Sequence, residues 1–444
     1  MTKVGIPISI AADKKTVLVA ACAMLAGLLA GCGGSRETGG TPADNKEKAP
    51  EPVTLTLTPY FLNMTDEEYD EVMIKPLKAK YPHITLNINK EDITKLVTAG
   101  QTPDIVYGAN SRFSVLQDLD LPYDLREFAK TYKVDLNKFA SPNIDWIKEL
   151  GPKGELYALP FALNHMALFY NKDLFDKRGV PYPKDGLFWD EYVDIVKKMT
   201  YSEGGVQFRG SLPPNPETFA RMKSQPLVDA SANKALVNTP QFKPLLELVQ
   251  QFYQIPGMVV NFQKPPGLDS FFKDQQTAMF MNWIPDSLGL LQKNGALFPF
   301  DLVGAPTFRD NPGITIDPGA QLMIVTKTSK HKEEAFKVIE FLTSPDVQTI
   351  LNKKSRLTAL ADESIRKDFL SELPLAKGKN IQGALKVKPA KMAPPNPYHV
   401  AVAGKVNALA DVIVAGTKDI NTMLRETQES ADKAIAEEAA RRQK

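Results

Sequence analysis

Val53-Thr54-Leu55-Thr56-Leu57-Thr58 alternates apolar side chains with threonines, the period-two pattern of a strand with one buried face. The period then changes. Over residues 66–81, Tyr69, Val72, Met73, Leu77 and, with some drift, Tyr81 fall along one helical stripe that stops before Pro82. Ile84, Leu86 and Ile88 alternate again, Ile93, Leu96 and Val97 mark a short helix stopped by Gly100, and Ile105-Val106-Tyr107 makes a third strand. A β-α-β-α-β order predicts a parallel, right-handed α/β unit. In such sheets a ligand sits beyond the carboxyl ends of the strands. That singles out Tyr60 and Phe61 after the first strand and Asn110, Ser111 and Arg112 after the third. On topology alone each of these could equally be an ordinary loop residue.

Toward the amino end the character changes. Lys14 and Lys15 precede an uncharged, mostly apolar run over residues 16–29, which has the length of a signal-peptide hydrophobic region and is too short for a permanent transmembrane helix. The run ends in Leu29-Ala30-Gly31-Cys32, which resembles the lipobox of bacterial lipoproteins. The resemblance implies removal of residues 1–31 and acylation of Cys32, anchoring the protein on the extracytoplasmic face of the membrane. A cleaved signal with an incidental cysteine is the alternative. Residues 32–52 are rich in Gly, Pro and charge with almost no large apolar side chain, the composition of a flexible tether.

Cys22 would leave with the signal and Cys32 would carry lipid, so the mature body has no thiol for a disulfide or a metal site. The signal also holds Lys3, Lys14, Lys15 and Asp13, a net +2 equal to the formal charge of the whole chain. The mature protein is therefore near neutral, with no nucleic-acid signature. About 390 residues follow the tether, more than one core usually holds, so two domains are expected. No later apolar stretch is long enough to span a bilayer.

Further along, Ala167-Leu168-Phe169-Tyr170 reads as a strand, residues 172–178 as a short helix capped by Gly179, and residues 189–199 as a longer amphipathic helix. Residues 204–216, with three prolines in four positions, read as a loop. A helix follows over 242–253, a short buried strand over 278–281, a strand over 321–326 and a helix over 332–342. The tail, 400–442, reads as helical throughout.

Several strings in fixed order resemble the extracellular solute-binding proteins of carbohydrate ABC importers, the maltose-binding-protein-like family. They are Thr102-Pro103-Asp104-Ile105-Val106, Gly154-Glu155-Leu156-Tyr157-Ala158-Leu159-Pro160-Phe161, Phe169-Tyr170-Asn171-Lys172-Asp173-Leu174-Phe175 and Trp189-Asp190-Glu191. After them come Phe272-Lys273-Asp274-Gln275-Gln276-Thr277-Ala278-Met279, Gly304-Ala305-Pro306, Glu334-Ala335-Phe336 and Phe341-Leu342-Thr343-Ser344-Pro345-Asp346-Val347-Gln348. The resemblance implies the two-lobed, type II periplasmic-binding-protein-like α/β fold with a hinge and an interlobe cleft. Residues 53–158 with 318–367 would form the first lobe, and 159–317 with 368–444 the second. It also implies a monomer that captures a sugar, closes by hinge motion and hands its solute to permease subunits in the membrane.

A sugar offers hydroxyls and apolar ring faces, so its cleft needs planar aromatics beside Asp, Asn, Arg and Gln. On the resemblance, Trp283 stands where the family presents a stacking aromatic, and Asn164 where it carries a ligand-contacting carboxylate. Ser111 and Arg112 match an Asp-Arg pair, with Arg112 keeping the cation and Ser111 lacking the carboxylate. Tyr398, after the Pro-rich loop 394–397, matches a stacking aromatic, while Glu217 and Phe219 are a looser match. Trp146 and Trp189 read as core, His165 as structural, and Tyr170-Asn171-Lys172-Asp173 as architecture.

The four histidines, His83, His165, His331 and His399, are dispersed without metal-ligand spacing, and neither a G-x-S-x-G elbow nor a phosphate-binding Gly-rich loop occurs. Asp118, Asp120 and Asp124 lack the Gly and terminal Glu of a calcium loop, since Tyr123 and Ala129 stand there. No metal or cofactor is expected, and no catalysis. The rival readings are a surface glycosidase using two carboxylates, or the same fold binding a peptide or polyamine or serving as a sensor.

Overall fold

The computed structural model describes residues 50–442 apart from 63, 230, 232 and 259–266. The signal segment, Cys32 and most of the tether lie outside the described residues. Among the described residues eleven strands build the two larger sheets. In chain order they are β1 (Val53–Tyr60), β2 (Ile84–Ile88), β3 (Ile105–Ala109), β4 (Leu159–Asn164), β5 (Met166–Asn171), β6 (Tyr201–Glu203), β7 (Val206–Ser211), β8 (Thr277–Trp283), β9 (Phe300–Gly304), β10 (Gly319–Val325) and β11 (Leu357–Thr358).

The first sheet runs β11-β4-β10-β3-β1-β2. At its start β1 lies parallel to both β2 and β3, with Leu55 opposite Leu86 and Leu57 opposite Ile105, as the alternation predicts. The helical stripe between β1 and β2 is not one regular helix. Thr65 and Glu68 form a reciprocal capping box at its start, and a π-helical segment, Asp70–Ile74, interrupts it before Lys75–Lys80. Pro76 has no amide hydrogen for the carbonyl four residues back, and a widened turn absorbs the break. That extra residue per turn is the drift seen at Tyr81.

The second sheet runs β9-β5-β8-β7-β6. Successive side chains of β5 point to opposite faces, so Ala167 and Phe169 join the core that holds the first sheet. Met166, Leu168 and Tyr170 enter a second core, with Tyr192 and Val196 of the helix Trp189–Met199 and with Met423, Leu424, Ala431 and Ile435 of the helix Ile420–Arg442. Each fully buried Leu or Phe contributes about 1.5–3 kcal/mol relative to exposure, so both faces of this sheet need their helical cover.

All six residues of β4 are buried, and the strand pairs with β10 and β11 in the first sheet, whereas β5 pairs with β8 and β9 in the second. The chain therefore changes sheets at His165, and residues 159–164 belong to the first sheet. Residues 204–216 are not all loop: Gly204 and Gly205, both at positive φ, form the two-residue turn of a β6–β7 hairpin. The alternation was hidden because Gln207 and Arg209 are polar and spend their side chains on backbone carbonyls. The tail comprises three helices, His399–Asn407, Leu409–Ala415 and Ile420–Arg442, with Gly416 in the left-handed conformation ending the second.

Candidate functional site

The carboxyl ends of β1 and β3, the β4–β5 crossing and the end of β8 converge on a polar cavity of about 150 Å³. Phe61, Asn110, Ser111, Asn164 and Trp283, five of the residues singled out in the sequence, line it together with Arg221, Asp286 and Gln321. A larger cavity of about 510 Å³ shares Asn110, Ser111 and Arg221 and extends past Trp146, Glu217, Asp317 and His399 to the loop 392–397. Its walls come from the helices Phe113–Asp118 and Ser141–Lys148, from the helix Pro216–Met222 and from the loop 392–397. The two cavities form one cleft. Another space of about 510 Å³, beside Trp189, Tyr192, Ser211 and Asp411, holds none of the expected residues.

The back wall is a relay of amides. The Tyr107 hydroxyl donates to Gln321 Oε1, and Gln321 Nε2 donates to Asn164 Oδ1 at 2.9 Å. Both amide oxygens are thereby engaged, which turns Asn164 Nδ2 into a donor at the cavity. Gly319 allows the strand to pass close by: a Cβ there would meet Asn164 Cβ at 3.1 Å and Trp283 Cζ2 at 3.4 Å. At the lip, Phe61 has φ 56°, a left-handed conformation that a bulky residue rarely adopts. Its ring stays 63% exposed, with the Arg112 guanidinium 4.5 Å from its centroid and Tyr60 edge-on at 4.9 Å. Tyr60 is itself buried, so it supports the lip, and Arg112 reaches the cleft only through Phe61.

On the far wall, the helix Pro216–Met222 presents Glu217 and Arg221. Glu217 accepts from Asn407 Nδ2 at 2.9 Å and pairs with His399 Nε2 at 3.2 Å. Burial by itself would raise the Glu217 carboxyl, but the hydrogen bond and charge of His399, with Arg221 and Asn407, hold it at about 2. Arg221 grips Asp317 through Nε at 3.1 and 3.2 Å. Burial disfavours the Arg221 cation, yet the Asp317 carboxylate more than offsets this and raises its pKa. At the outer rim Arg442 Nη2 donates to Asp118 Oδ2 at 2.7 Å, joining the end of the last helix to the helix Phe113–Asp118 of the first lobe.

Several assignments need correction. Phe219, a candidate contact, is fully buried against Trp189 at 4.6 Å and Phe308 at 5.9 Å, because it lies on the inward face of its helix. Tyr398 precedes the helix His399–Asn407 with Arg442 above its ring at 5.9 Å, and lines neither part of the cleft. Trp146, read as core, is half-buried and lines the larger cavity, its Nε1 donating to the Ala393 carbonyl at 3.1 Å. Trp189 is core, as expected. His165 is buried with Nε2 3.1 Å from the Ala384 carbonyl, and burial lowers its pKa to about 4, which keeps it neutral and structural.

Sequence reasoning missed Arg221, Asp286, Asp317 and Gln321. Gln321 left a trace, a lone amide inside the apolar run Ala320 to Val325. The others look like ordinary surface charges until the fold brings them to one place. Among the described residues no group of His, Cys, Asp or Glu is placed to hold a metal ion, and no helix is long and apolar enough to cross a membrane.

The comparisons with known proteins agree with this architecture. The family described as bacterial extracellular solute-binding protein matches residues 63–349. Binding proteins of Brucella abortus and Brucella suis are 25% identical over 333 residues, which cover 68% of this chain and 74% of theirs. An ABC substrate-binding protein of Listeria monocytogenes, solved in complex with cycloalternan, superposes with a TM-score of 0.71 at 18% identity, covering 87% of this chain and 100% of that one. A sugar-binding protein of the phytopathogen Xanthomonas citri gives 0.67 at 18% identity, covering 87% and 98%. These likenesses establish the two-lobed binding-protein fold. With the family match spanning well over half its length, the chain belongs to the bacterial extracellular solute-binding proteins.

Proposed function

We propose that this protein is the extracytoplasmic substrate-binding component of an ABC importer, that it captures a sugar or oligosaccharide in the cleft, and that hinge closure presents the solute to the permease. The observation that carries the reading is the pairing, in one cavity, of the Trp283 indole with Asn110, Ser111, Asn164, Asp286 and Gln321. An indole face suits the apolar face of a sugar ring, and the polar groups match its hydroxyls. The cycloalternan complex of the Listeria relative and the sugar-binding description of the Xanthomonas relative support it. The larger cavity beyond Asn110 and Ser111 leaves room for more than one ring.

A thermal-shift screen against mono- and oligosaccharides tests the reading, since a ligand that binds only the native state raises the midpoint by mass action. At least one sugar should raise it and be recovered chemically unchanged. A shift by peptides or polyamines alone would replace the sugar reading, and enzyme-dependent cleavage would restore the glycosidase. Lipid anchoring through Cys32 is a further part of the proposal: Cys32→Ser should abolish lipid labelling and membrane retention, and a labelled, membrane-bound Ser variant would refute it.

A further inference from the structure

Asn164 brings an amide to the cleft, and the relay from Tyr107 through Gln321 engages its oxygen and leaves its Nδ2 as the donor. A sugar hydroxyl both donates and accepts, so a wall of donors needs an acceptor facing it. Most carboxylates lining the cleft are spent. Glu217 has one oxygen on His399 and the other on Asn407, Asp317 has both on Arg221, and Asp118 has both on Arg442. Glu149 stands exposed on the outer rim.

Asp286 differs. It sits in the first turn of the helix Ile284–Lys293, three residues after Trp283, and lines the small cavity. Its Oδ1 accepts from Arg356 Nη1 at 2.9 Å, while Oδ2 has no hydrogen-bond partner among the described residues. Arg356 comes from behind, with its side chain 3% exposed against 22% for Asp286. Arg356 is held in turn by Glu68, whose Oε1 lies 3.6 Å from Nη2 and accepts from Ser355 Oγ, and whose Oε2 accepts from the Thr65 amide at 2.8 Å. Burying a guanidinium is costly unless its charge is matched, and here the match runs from the capping box at Thr65 to the cavity wall. The backbone also fixes this helix, since the Ile284 amide donates to the His165 carbonyl at 2.9 Å.

Resting on the sugar-binding reading, we propose that Asp286 is the ligand-contacting carboxylate of this cleft, and that Arg356 is the positioning residue that aims it, one oxygen fixed and the other presented to a ligand hydroxyl. The pairing of Glu217 with His399, of Arg221 with Asp317 and of Arg442 with Asp118 favours a neutral polyol over an anionic one. An anionic group brought to Oδ2 would meet a carboxylate with no proton to offer.

The test starts from the best sugar found in the screen and uses isothermal titration with the full-length protein. Asp286→Asn should weaken binding about tenfold or more, the usual size for a hydrogen bond to a charged group. Because that change removes one of the two carboxylates that match the Arg356 cation, Asp286→Asn/Arg356→Met is measured beside it. The double variant should regain wild-type melting without regaining affinity. Arg356→Met alone should fold and bind with a smaller loss, its carboxylate present but no longer aimed. Deoxy analogues of the sugar locate the contact: one of them should bind wild type about tenfold more weakly than the parent sugar, yet bind the double variant as well as the parent does. Wild-type affinity in the double variant, or an equal penalty for every deoxy sugar in both proteins, overturns the proposal. Absence of any sugar ligand for wild type would instead overturn the sugar-binding reading itself.

Discussion

Glu217→Gln isolates one ionised group in the cleft and should change how acid unfolds the protein. The native carboxyl is held at about 2 against an ordinary 4.5, and each pH unit of difference is worth about 1.4 kcal/mol. The difference corresponds to about 3 kcal/mol, an upper value because the side chain keeps 21% exposure. A carboxyl whose pKa is depressed by folding stabilises the native state fully above the unfolded value, and that stabilisation is lost as pH falls toward the native value. Wild type should therefore shed up to about 3 kcal/mol between pH 4.5 and about 2 that Glu217→Gln, lacking the ionisation, does not shed. Urea denaturation at a series of pH values measures this directly. If the two proteins lose stability in parallel across that window, Glu217 is not held ionised by His399 and its neighbours.

Trp283→Ala should weaken sugar binding by about 2 kcal/mol, roughly thirtyfold, and unfold near the wild-type denaturant midpoint; a loss of about 3–5 kcal/mol in stability would mark Trp283 as core instead. His165→Gln should flatten the fall in stability over a higher window. A neutral histidine whose native pKa of about 4 lies below its unfolded 6.5 loses its contribution as pH drops from 6.5 toward 4, so equal slopes for variant and wild type there would contradict its burial as a neutral ring. Gly210→Ala should destabilise by about 1–3 kcal/mol, since its Cβ would come within 2.3 Å of the Val196 carbonyl oxygen and 2.5 Å of its Cα; an unchanged midpoint in guanidinium would show that the strand and helix can part at no cost.

The parallel β2-β1-β3 unit was legible because nothing competes with its periodicity: Leu55, Leu57, Leu86 and Ile105 are apolar, regularly spaced and bounded by clear stops. The β6–β7 hairpin was not, because its alternating side chains include Gln207 and Arg209, polar groups that bond to carbonyls of the hairpin itself and of Met258. The cleft divided along the same line. Phe61, Asn110, Ser111, Asn164 and Trp283 follow from strand ends and a family pattern, and the structure gathers them. Arg221, Asp317 and Arg356 owe their roles to partners 96 and 70 residues away, and local sequence carries no record of such distances. Phe219 shows the converse limit: a helix this short offers the cleft one face and the core another, and position alone does not say which.

The contact between Arg442 and Asp118 fastens the far end of the polypeptide to the opposite jaw of the cleft. Once formed, at 2.7 Å, it lies well inside the Debye length of about 8 Å in physiological salt, so dissolved ions scarcely loosen it. In the hinge motion proposed above, parting of the jaws would oblige the same two charges to find each other again through electrolyte, which screens attraction over such gaps. On that motion salinity would act on how quickly the mouth shuts and hardly at all on how firmly it stays shut, and a cell moved between dilute and briny surroundings would retune the pace of capture while keeping its grip.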